Sequence, residues 1–317
     1  MTDTKPGIMY AALMSVALLW GASFAAAKIG MNELAPINLV VLRFVIAAAV
    51  FAAILLFRRE RSTIERADVW RFVVLGFMMV TSYFYIQYTA LTFTTTVNAA
   101  LIVATIPVWT AIFAAALGWE RVSLAGAAGI AVALGGVTLI ISGGRGGADL
   151  LSSATLPGDL LILVNALTWA GITLYGKEIM QKYPPFLTMA WTHIFGTIML
   201  APFAFVATPL APVPLSGQIG GITWPTVASA LFLALLCSVY AYYVWYLGVE
   251  RLGAVRTASF SYFNPLFAAI VGVLLMGETL SGYVATGGLI VLAGVYVTNR
   301  AARRSAPPAR SESCRDG

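Results

Sequence analysis

Histidine, cysteine and charged side chains are all scarce in this chain. Its 317 residues include one histidine and two cysteines, and only 10% of them are charged. Cys237 lies in an apolar run and Cys314 in a polar tail, so neither a disulfide framework nor a metal site of cysteine and histidine is expected. His193 has no acidic residue near it in sequence, which leaves no Ser–His–Asp catalytic set. We therefore predict no metal, no cofactor and no enzymatic activity.

Long apolar runs dominate what is present. Hydrophobic residues make up 60% of the chain and the mean hydropathy is +0.88, which is too apolar for a soluble domain of this size. Helices are the only assignment that satisfies the backbone inside a bilayer. Ten runs are long enough to cross a hydrocarbon core of about 30 Å, and they lie near residues 8–30, 36–57, 69–90, 96–117, 122–142, 158–178, 185–206, 224–248, 255–276 and 281–299. The sequence predicts an all-α integral membrane protein with ten transmembrane helices.

An internal repeat divides these ten spans into two sets of five. Pro107 matches Pro265 at an offset of 158 residues, whereas Trp20 matches Trp169 at an offset of 149. The longer loop at 207–223 accounts for the difference. Because five is an odd number, the second set enters the membrane inverted, which is typical of transporters that alternate access to a midplane site. The predicted segments are a first repeat at 1–142, a periplasmic linker at 143–157, a second repeat at 158–299 and a disordered cytoplasmic tail at 300–317.

The positions of lysine and arginine predict the orientation. With the amino terminus inside, every basic residue except Lys28, Arg43 and Arg145 falls in a cytoplasmic segment. Both termini are therefore expected in the cytoplasm, with the chain in a bacterial-type inner (plasma) membrane. The net charge of +6 is spread between apolar spans rather than gathered on one face, so no nucleic-acid partner is predicted.

Three stretches resemble one family of carriers. They are Leu19–Phe24 (Leu-Trp-Gly-Ala-Ser-Phe) in span one, Pro107–Glu120 in span four, and its mirror Pro265–Glu278 in span nine. In these, and in the repeat over about residues 8–299, the chain resembles the ten-span EamA-type branch of the drug/metabolite transporter superfamily. The resemblance implies a basket of spans one to four and six to nine around a central cavity, with spans five and ten outside.

The resemblance also implies export of amino acids, aromatic or other neutral ones, or of related small metabolites. It is specific for the family and weak for the substrate. Two alternatives stay open: a multidrug or other metabolite exporter, and a membrane enzyme or scaffold that transports nothing. The glycine-rich segment 143–147 lacks the Lys-Ser/Thr ending of a P-loop, so transport driven by ATP on this chain is not indicated.

Carboxylates are missing from the interior of the apolar runs. Each Asp and Glu lies in a tail, in a loop or at the end of a run, as Glu33, Glu120 and Glu278 do. Proton-coupled carriers commonly hold an Asp, Glu or His relay within the membrane, and here only His193 qualifies. The pattern favours facilitated movement down a gradient over proton antiport by carboxylates.

Aromatic and amide side chains near the middle of the spans are the candidate substrate contacts. Trp20 and Trp169 are matched by the repeat and suit a cavity that receives flat or apolar groups; ordinary helix packing is the alternative. Tyr83 and Gln87 are four residues apart on one face of span three. Because an amide is costly in lipid, we expect Gln87 to face the interior.

Span eight carries two aromatic pairs at helical spacing. Tyr240 and Tyr243 form one pair, and Tyr242 and Trp245 form the other. One of the two faces is expected to line the cavity. We assign Tyr240 and Tyr243 to the site, while the pattern alone does not choose between them.

Spans four and nine each contain a proline. Pro107 and Pro265 are candidate hinges, because proline removes a backbone bond and kinks a helix. Tyr262 and Asn264 precede Pro265, where a freed carbonyl and the Asn264 amide would suit an ammonium or a carboxylate group. A simple kink is the alternative.

Three ionisable side chains lie within spans. Arg43 is expected either to attract a substrate carboxylate or to pair with a backbone carbonyl, and the second is favoured. His193 is expected to be a packing residue rather than a proton carrier. Lys28 is expected to extend its amine to the membrane surface.

Glycines are frequent in spans five and ten, and they permit close backbone approach. We expect these spans to pack against the basket rather than to form a dimer interface. The predicted assembly is a monomer, and the expected partners are the lipid bilayer and a small-molecule substrate.

Overall fold

The computed structural model describes residues 6–57, 63–118, 123–143, 153–208, 211–252, 257 and 259–305. Within these ranges the backbone is almost entirely helical, and an isolated bridge between Thr208 and Ala211 is the only β contact. Eight helices are long and apolar enough to cross a membrane by length and composition. Two shorter apolar helices, Phe260–Met276 and Gly282–Thr298, coincide with predicted spans nine and ten. The prediction of an all-α membrane protein with ten helices is confirmed.

In its described residues the first repeat contains seven α-helices. Pro6–Gly30 and Pro36–Phe57 are single helices, whereas span three and span four are each built from two. A π-helical segment, Phe77–Ser82, joins the two halves of span three. The α-helices are α1 Pro6–Gly30, α2 Pro36–Phe57, α3 Val69–Gly76, α4 Tyr83–Leu91, α5 Thr96–Val103, α6 Ile106–Ala116 and α7 Leu124–Ser142.

The second repeat has a similar arrangement with one added helix. Its span eight is also interrupted by a π-helical segment, Phe232–Tyr240, and its span nine begins with a 3-10 turn, Ser259–Phe263. The α-helices are α8 Leu156–Lys182, α9 Pro185–Leu200, α10 Leu215–Gln218, α11 Trp224–Leu231, α12 Ala241–Leu252, α13 Asn264–Met276 and α14 Gly282–Ser305. The short helix α10 lies in the extra loop between spans seven and eight.

Two predicted boundaries differ from the structure. Helix α14 continues to Ser305, well into the segment 300–317 that we expected to be disordered. The added residues include two alanines and three arginines, which favour helix. Helix α8 starts at Leu156, inside the predicted linker. The rest of the tail from 306 onward, linker residues 144–152 and Glu120 lie outside the described residues.

Helices of one repeat pack against helices of the other in a reciprocal pattern. Span one (α1) packs against span nine (α13), and span six (α8) packs against span four (α6). In the same way α2 packs against the π-helical segment of span eight, and α9 packs against that of span three. The middle of the bundle is therefore built from side chains of both repeats.

Spans five and ten meet through glycine. A Cβ added at Gly136 would lie 2.7 Å from Gly287 O and 2.7 Å from Val291 N, so the backbones of α7 and α14 are in direct contact there. The sequence predicted that these glycines pack against the basket. Instead, the glycine faces of α7 and α14 pack mainly against each other, because small residues allow the closest approach between two helices that both carry them.

We expect Gly136→Ala to destabilise the protein and Gly135→Ala not to. Both changes favour helix formation equally, by roughly 1 kcal/mol, but a Cβ at Gly135 meets nothing within 4 Å. Overpacking at Gly136 should cost about 1–3 kcal/mol. The melting temperatures of the two purified variants in detergent test this, and equal values would contradict the described α7–α14 contact.

Candidate functional site

Arg43 on α2 is the centre of the candidate site. The residue is 3% exposed. Its Nε donates to Ser238 Oγ at 2.9 Å and its Nη1 donates to Tyr88 Oη at 2.7 Å. The guanidinium carbon lies 4.4 Å from the ring centroid of Phe84 and 5.1 Å from that of Phe44, in the range of a cation–π contact. Among the described residues Arg43 thus contacts two hydroxyls and two rings, whereas the sequence favoured a backbone carbonyl.

The π-helical segment of span eight positions the Ser238 hydroxyl. Ser238 Oγ donates to the carbonyl of Leu233, five residues earlier, at 3.0 Å, while it accepts from Arg43. A five-residue separation is that of the π-helix rather than the α-helix, and such segments are frequent at functional sites. Apolar periodicity along Phe232–Tyr240 gave no sign of it, so the sequence analysis missed Ser238.

No described carboxylate neutralises Arg43. Among the described residues the ion pairs are Lys28–Glu278, Arg71–Asp68, Lys182–Glu65 and Lys182–Asp68. Arginine stays protonated in proteins, and burying an ion costs several kcal/mol unless other groups compensate for its lost hydration. A charged side chain within a span is typical of a substrate or ion pathway.

The two tryptophans matched by the repeat each contact a tyrosine of the opposite repeat. The ring centroids of Trp20 and Tyr242 are 5.4 Å apart, and those of Trp169 and Tyr83 are 4.6 Å apart. Trp20 Nε1 also donates to the Cys237 carbonyl at 3.1 Å. Both predicted tryptophans therefore lie where the two repeats meet.

Amide side chains accompany the second of these pairs. Gln87 is buried, as expected, and its Nε2 donates to Tyr83 Oη over a long 3.5 Å. Asn165 of α8 is fully buried beside the same hydroxyl. Within the described part of the chain neither polar atom of its side chain reaches a partner in hydrogen-bond geometry. The sequence analysis missed Asn165, although an amide one turn before Trp169 in an apolar run was an available signal.

His193 neighbours Phe44, a ring that the Arg43 guanidinium also contacts. Its Nδ1 is 2.8 Å from the Met189 carbonyl, and its ring centroid is 5.7 Å from that of Phe44 and 5.4 Å from that of Tyr242. Its Nε2 has no hydrogen-bond partner among the described residues. His193 is thus a packed ring, as expected from the sequence, and its Nε2 is the nitrogen without a partner in the described part of the chain.

Tyr240 and Tyr243 are not among the buried residues around Arg43, Trp20 and Trp169, which we call the central cluster. They are 38% and 44% exposed. Tyr240 Oη lies 3.0 Å from Ser15 Oγ, and Tyr243 stands edge-on to Phe186 with centroids 6.2 Å apart. Tyr242 is buried instead, against Trp20 and His193. Of the two pairs left open by the sequence, the structure turns Tyr242 and Trp245 toward Trp20.

Asn264 and Tyr262 lie where α1 crosses the start of α13. A Cβ on Gly21 would be 2.7 Å from the Asn264 carbonyl oxygen, so the two backbones touch at this point. Asn264 Oδ1 has no partner among the described residues, and Tyr262 packs against the main hydrophobic core. These two residues stay candidate substrate contacts.

The prolines stand at helix starts rather than at kinks. Pro107 and Pro265 occupy the first turn of α6 and α13, where a missing N–H breaks no helical bond. A turn at Ala104–Thr105 precedes α6, and the 3-10 turn Ser259–Phe263 precedes α13. Discontinuous helices of this kind are common around transporter sites, so both breaks stay predicted hinges.

At one end of the bundle the repeats are joined by a set of contacts that we call the Glu278 clamp, formed by Glu278, Lys28, Thr96 and Val97. Glu278 accepts from the Thr96 N–H at 2.7 Å, the Thr96 hydroxyl at 2.8 Å and the Val97 N–H at 3.1 Å. Lys28 Nζ donates to it at 3.3 Å. A carboxylate at the start of α5 compensates the free N–H groups of the helix end.

Lys28 is therefore an ion-pair partner rather than a side chain that only reaches the membrane surface. Sequence alone could not pair it with Glu278, which lies 250 residues away. Because α1 and α5 belong to the first repeat and Glu278 follows α13 of the second, the clamp joins the repeats.

The opposite end is joined by the Asp68 cluster, which consists of Asp68, Glu65, Lys182 and Tyr183. Lys182 Nζ donates to Asp68 at 2.6 Å and to Glu65 at 2.7 Å, and the Tyr183 hydroxyl donates to Asp68 at 2.6 Å. The hydrogen bond to Asp68, followed by that to Glu65, raises the pKa of Lys182. This cluster also connects the two repeats, at the end of α8 and the start of α3.

Two further acidic residues link the repeats at the clamp end. Asp159, in the first turn of α8, is fully buried and accepts from the Thr94 hydroxyl and from Asn98 Nδ2 at 3.2 Å. Exposed Glu33 accepts from the N–H of Thr223 at 2.8 Å and from its hydroxyl at 2.5 Å, and the hydroxyl contact is the main cause of its lowered pKa. Carboxylates do stand at span ends, as predicted, but Asp159 is buried there.

Comparison with known proteins gives the family. The EamA-like transporter family matches residues 6–142 and 156–300. An uncharacterized transporter of Archaeoglobus fulgidus is 34% identical over 281 residues, which cover 89% of this chain and 93% of that protein. A probable amino-acid metabolite efflux pump of Salmonella typhimurium is 28% identical over 289 residues, covering 89% and 91%. One named the same way in Escherichia coli is 25% identical over 298 residues, covering 92% and 94%.

The fold is also that of a solved structure. A crystal structure superposes with a TM-score of 0.62 and 22% identity, covering 94% of this chain and 98% of the other. Two matches of one family along a single chain agree with the two sets of spans. The chain belongs to the EamA-like transporter family.

Proposed function

We propose that this protein exports amino acids, aromatic or other neutral ones, or related small metabolites across the inner membrane. The two five-helix repeats would rock against each other and expose the central cluster alternately to each side. Both termini would lie in the cytoplasm, so the Glu278 clamp would face outward. The probable amino-acid metabolite efflux pumps among the relatives support this substrate class.

The observation that carries this proposal is the sharing of one buried cluster by both repeats. Arg43 bonds across the boundary to Ser238, and Trp20 contacts Tyr242 across the same boundary. Trp169 and Tyr83 repeat the second contact in the opposite sense. A relative rotation of the repeats would change all three contacts at once, which suits a site that binds in one state and releases in the other.

The contents of this cluster favour a facilitated carrier. Its ionisable members are Arg43, His193, Cys237 and tyrosines, and the buried carboxylate Asp159 lies at the clamp end instead. The permanent positive charge of Arg43 also disfavours cationic drugs, which weighs against the multidrug alternative.

Counterflow in proteoliposomes tests the proposal. Purified protein is reconstituted with unlabelled L-phenylalanine inside, and uptake of labelled L-phenylalanine is followed with and without a pH difference. We expect counterflow above that of empty vesicles, with similar rates in both conditions. Dependence on the pH difference would contradict facilitation and point to Asp159 or His193. A chain that moves neither L-phenylalanine nor other neutral amino acids would contradict the substrate class, and failure with metabolite mixtures would favour an enzyme or scaffold.

Trp169→Ala should reduce that counterflow about tenfold. The change removes the ring that contacts Tyr83, and loss of an aromatic contact plus buried area is enough for an effect of this size. Trp70→Ala is the control, because Trp70 is 60% exposed at the start of span three. Equal rates for the two variants would contradict the location of the site.

A further inference from the structure

Arg43 has donor capacity that its described neighbours leave unused. A guanidinium carries five N–H groups in a planar fork, and two acceptors among the described residues are recorded for it, Ser238 Oγ and Tyr88 Oη. Both acceptors are neutral. The fork matches a carboxylate in a bidentate geometry, which is the strongest common way to compensate a buried arginine.

The surroundings add a second donor and exclude water. Tyr88 accepts from Arg43 through its oxygen and keeps its own O–H for an incoming anion. The residue is 2% exposed. The rings of Phe84 and Phe44 flank the guanidinium, which lowers the local dielectric and strengthens its attraction for a negative group.

Flat surfaces lie next to this charge. Ser238 is bonded to Arg43, and the neighbouring Cys237 carbonyl accepts from the Trp20 indole. Phe84 contacts Tyr83, which in turn contacts Trp169. A ligand held by its carboxylate at Arg43 would therefore have aromatic walls from both repeats within reach of its side chain.

We propose that Arg43 binds the carboxylate of the transported molecule, with the Tyr88 hydroxyl as a second donor. The protein then selects carboxylic acids and amino acids over the corresponding amides and amines. This inference rests on the proposed function for its physiological meaning, although ligand binding can be measured without transport. A purely structural Arg43 would instead hold α2, α4 and span eight together without any preference for an acid.

The test compares one scaffold with three head groups. L-Phenylalanine, 3-phenylpropionate and L-phenylalaninamide are titrated into the full-length protein in detergent, with intrinsic tryptophan fluorescence as the binding signal. The same compounds compete in the counterflow assay. We expect the two acids to bind about tenfold or more tightly than the amide, as the loss of charge-assisted hydrogen bonds implies. The inference would be overturned if the wild-type protein binds the amide as tightly as it binds the acids.

Two variants separate contact from folding. Arg43→Gln should bind acid and amide equally weakly, while Arg43→Lys should retain part of the preference because it retains the charge. If Arg43→Gln does not fold, Tyr88→Phe replaces it. That variant should weaken acid binding several-fold and leave amide binding unchanged, because it removes one hydroxyl from a ring that stays in place. Equal weakening of acid and amide by Tyr88→Phe would count against the carboxylate site.

The two assays also distinguish this inference from the proposed function. Selective binding of acids without flux would support the carboxylate site and contradict transport. Flux of all three compounds without preference would support transport and contradict the site. The absence of both flux and selective binding would overturn both.

Discussion

Glu278→Gln should open the clamp end of the molecule. The carboxylate accepts from two backbone N–H groups, one hydroxyl and Lys28. A glutamine in the same place has one acceptor oxygen, and its NH₂ group would face the N–H groups of Thr96 and Val97. Bonds to a charged acceptor are each worth about 1.5–3 kcal/mol. Losing even one of them shifts an opening equilibrium about tenfold or more.

The native Cys237 reports on this opening. It is fully buried beside Trp20, so a small thiol reagent reaches it only when the central cluster is open to water. In a Cys314→Ser background, a membrane-impermeant reagent is added to one side of oriented vesicles. We expect Glu278→Gln to speed labelling of Cys237 about tenfold from the clamp side alone.

Glu33→Gln is the matched control at the same end. Glu33 also joins the repeats, through Thr223, but it is exposed, and exposed contacts contribute little. Labelling should change less than about threefold. If Cys237 in the Glu278→Gln variant is labelled at the wild-type rate, the clamp does not hold this end closed.

Asp68→Asn should open the opposite end. Asp68 is 7% exposed and accepts the two short bonds from Lys182 and Tyr183. Asparagine keeps the shape but loses the charge, and its NH₂ group would compete with the lysine for space. We expect Cys237 labelling to rise about tenfold when the reagent is on the Asp68 side, and to stay unchanged on the clamp side.

Glu65→Gln controls for charge at the same lysine. The Glu65 carboxylate bonds to Lys182 at 2.7 Å, but its side chain is 65% exposed, so its replacement should have little effect. Faster labelling of Cys237 from the clamp side in the Asp68→Asn variant would contradict the assignment of the two clusters to opposite ends. Equal effects of Asp68→Asn and Glu65→Gln would show that burial of Asp68 is unimportant.

The sequence predicted the features that depend on composition and repetition. Hydropathy predicts the ten spans. A constant offset in the sequence predicts that Trp20 and Trp169 are equivalent positions, and the cost of an amide in lipid predicts the interior position of Gln87. These arguments are local or rely on copies, so they do not need the tertiary arrangement. The cost of an amide in lipid applies equally to Asn165 in span six, so the sequence contained the signal for this residue as well.

Other features depend on geometry that periodicity does not encode. The π-helical segment Phe232–Tyr240 changes the angular position of every later residue, so α-helical spacing could not choose between the pairs Tyr240–Tyr243 and Tyr242–Trp245. Arg43 and Ser238 are 195 residues apart, and Glu278 and Thr96 are 182 apart. No local pattern links such positions, and the hydroxyl partners of Arg43 come from two different spans.

The π-helical segments have a consequence for the ancestry of the chain. They end at Ser82 and at Tyr240, which are equivalent positions at the offset of 158 residues. A duplication of one five-span unit, as the sequence predicts, would place this departure from regular helix in that unit before the two copies diverged. That unit would have supplied one half of each tryptophan–tyrosine pair. On the inverted arrangement proposed above, it would have worked as a two-fold dimer whose subunits were inserted in opposite directions.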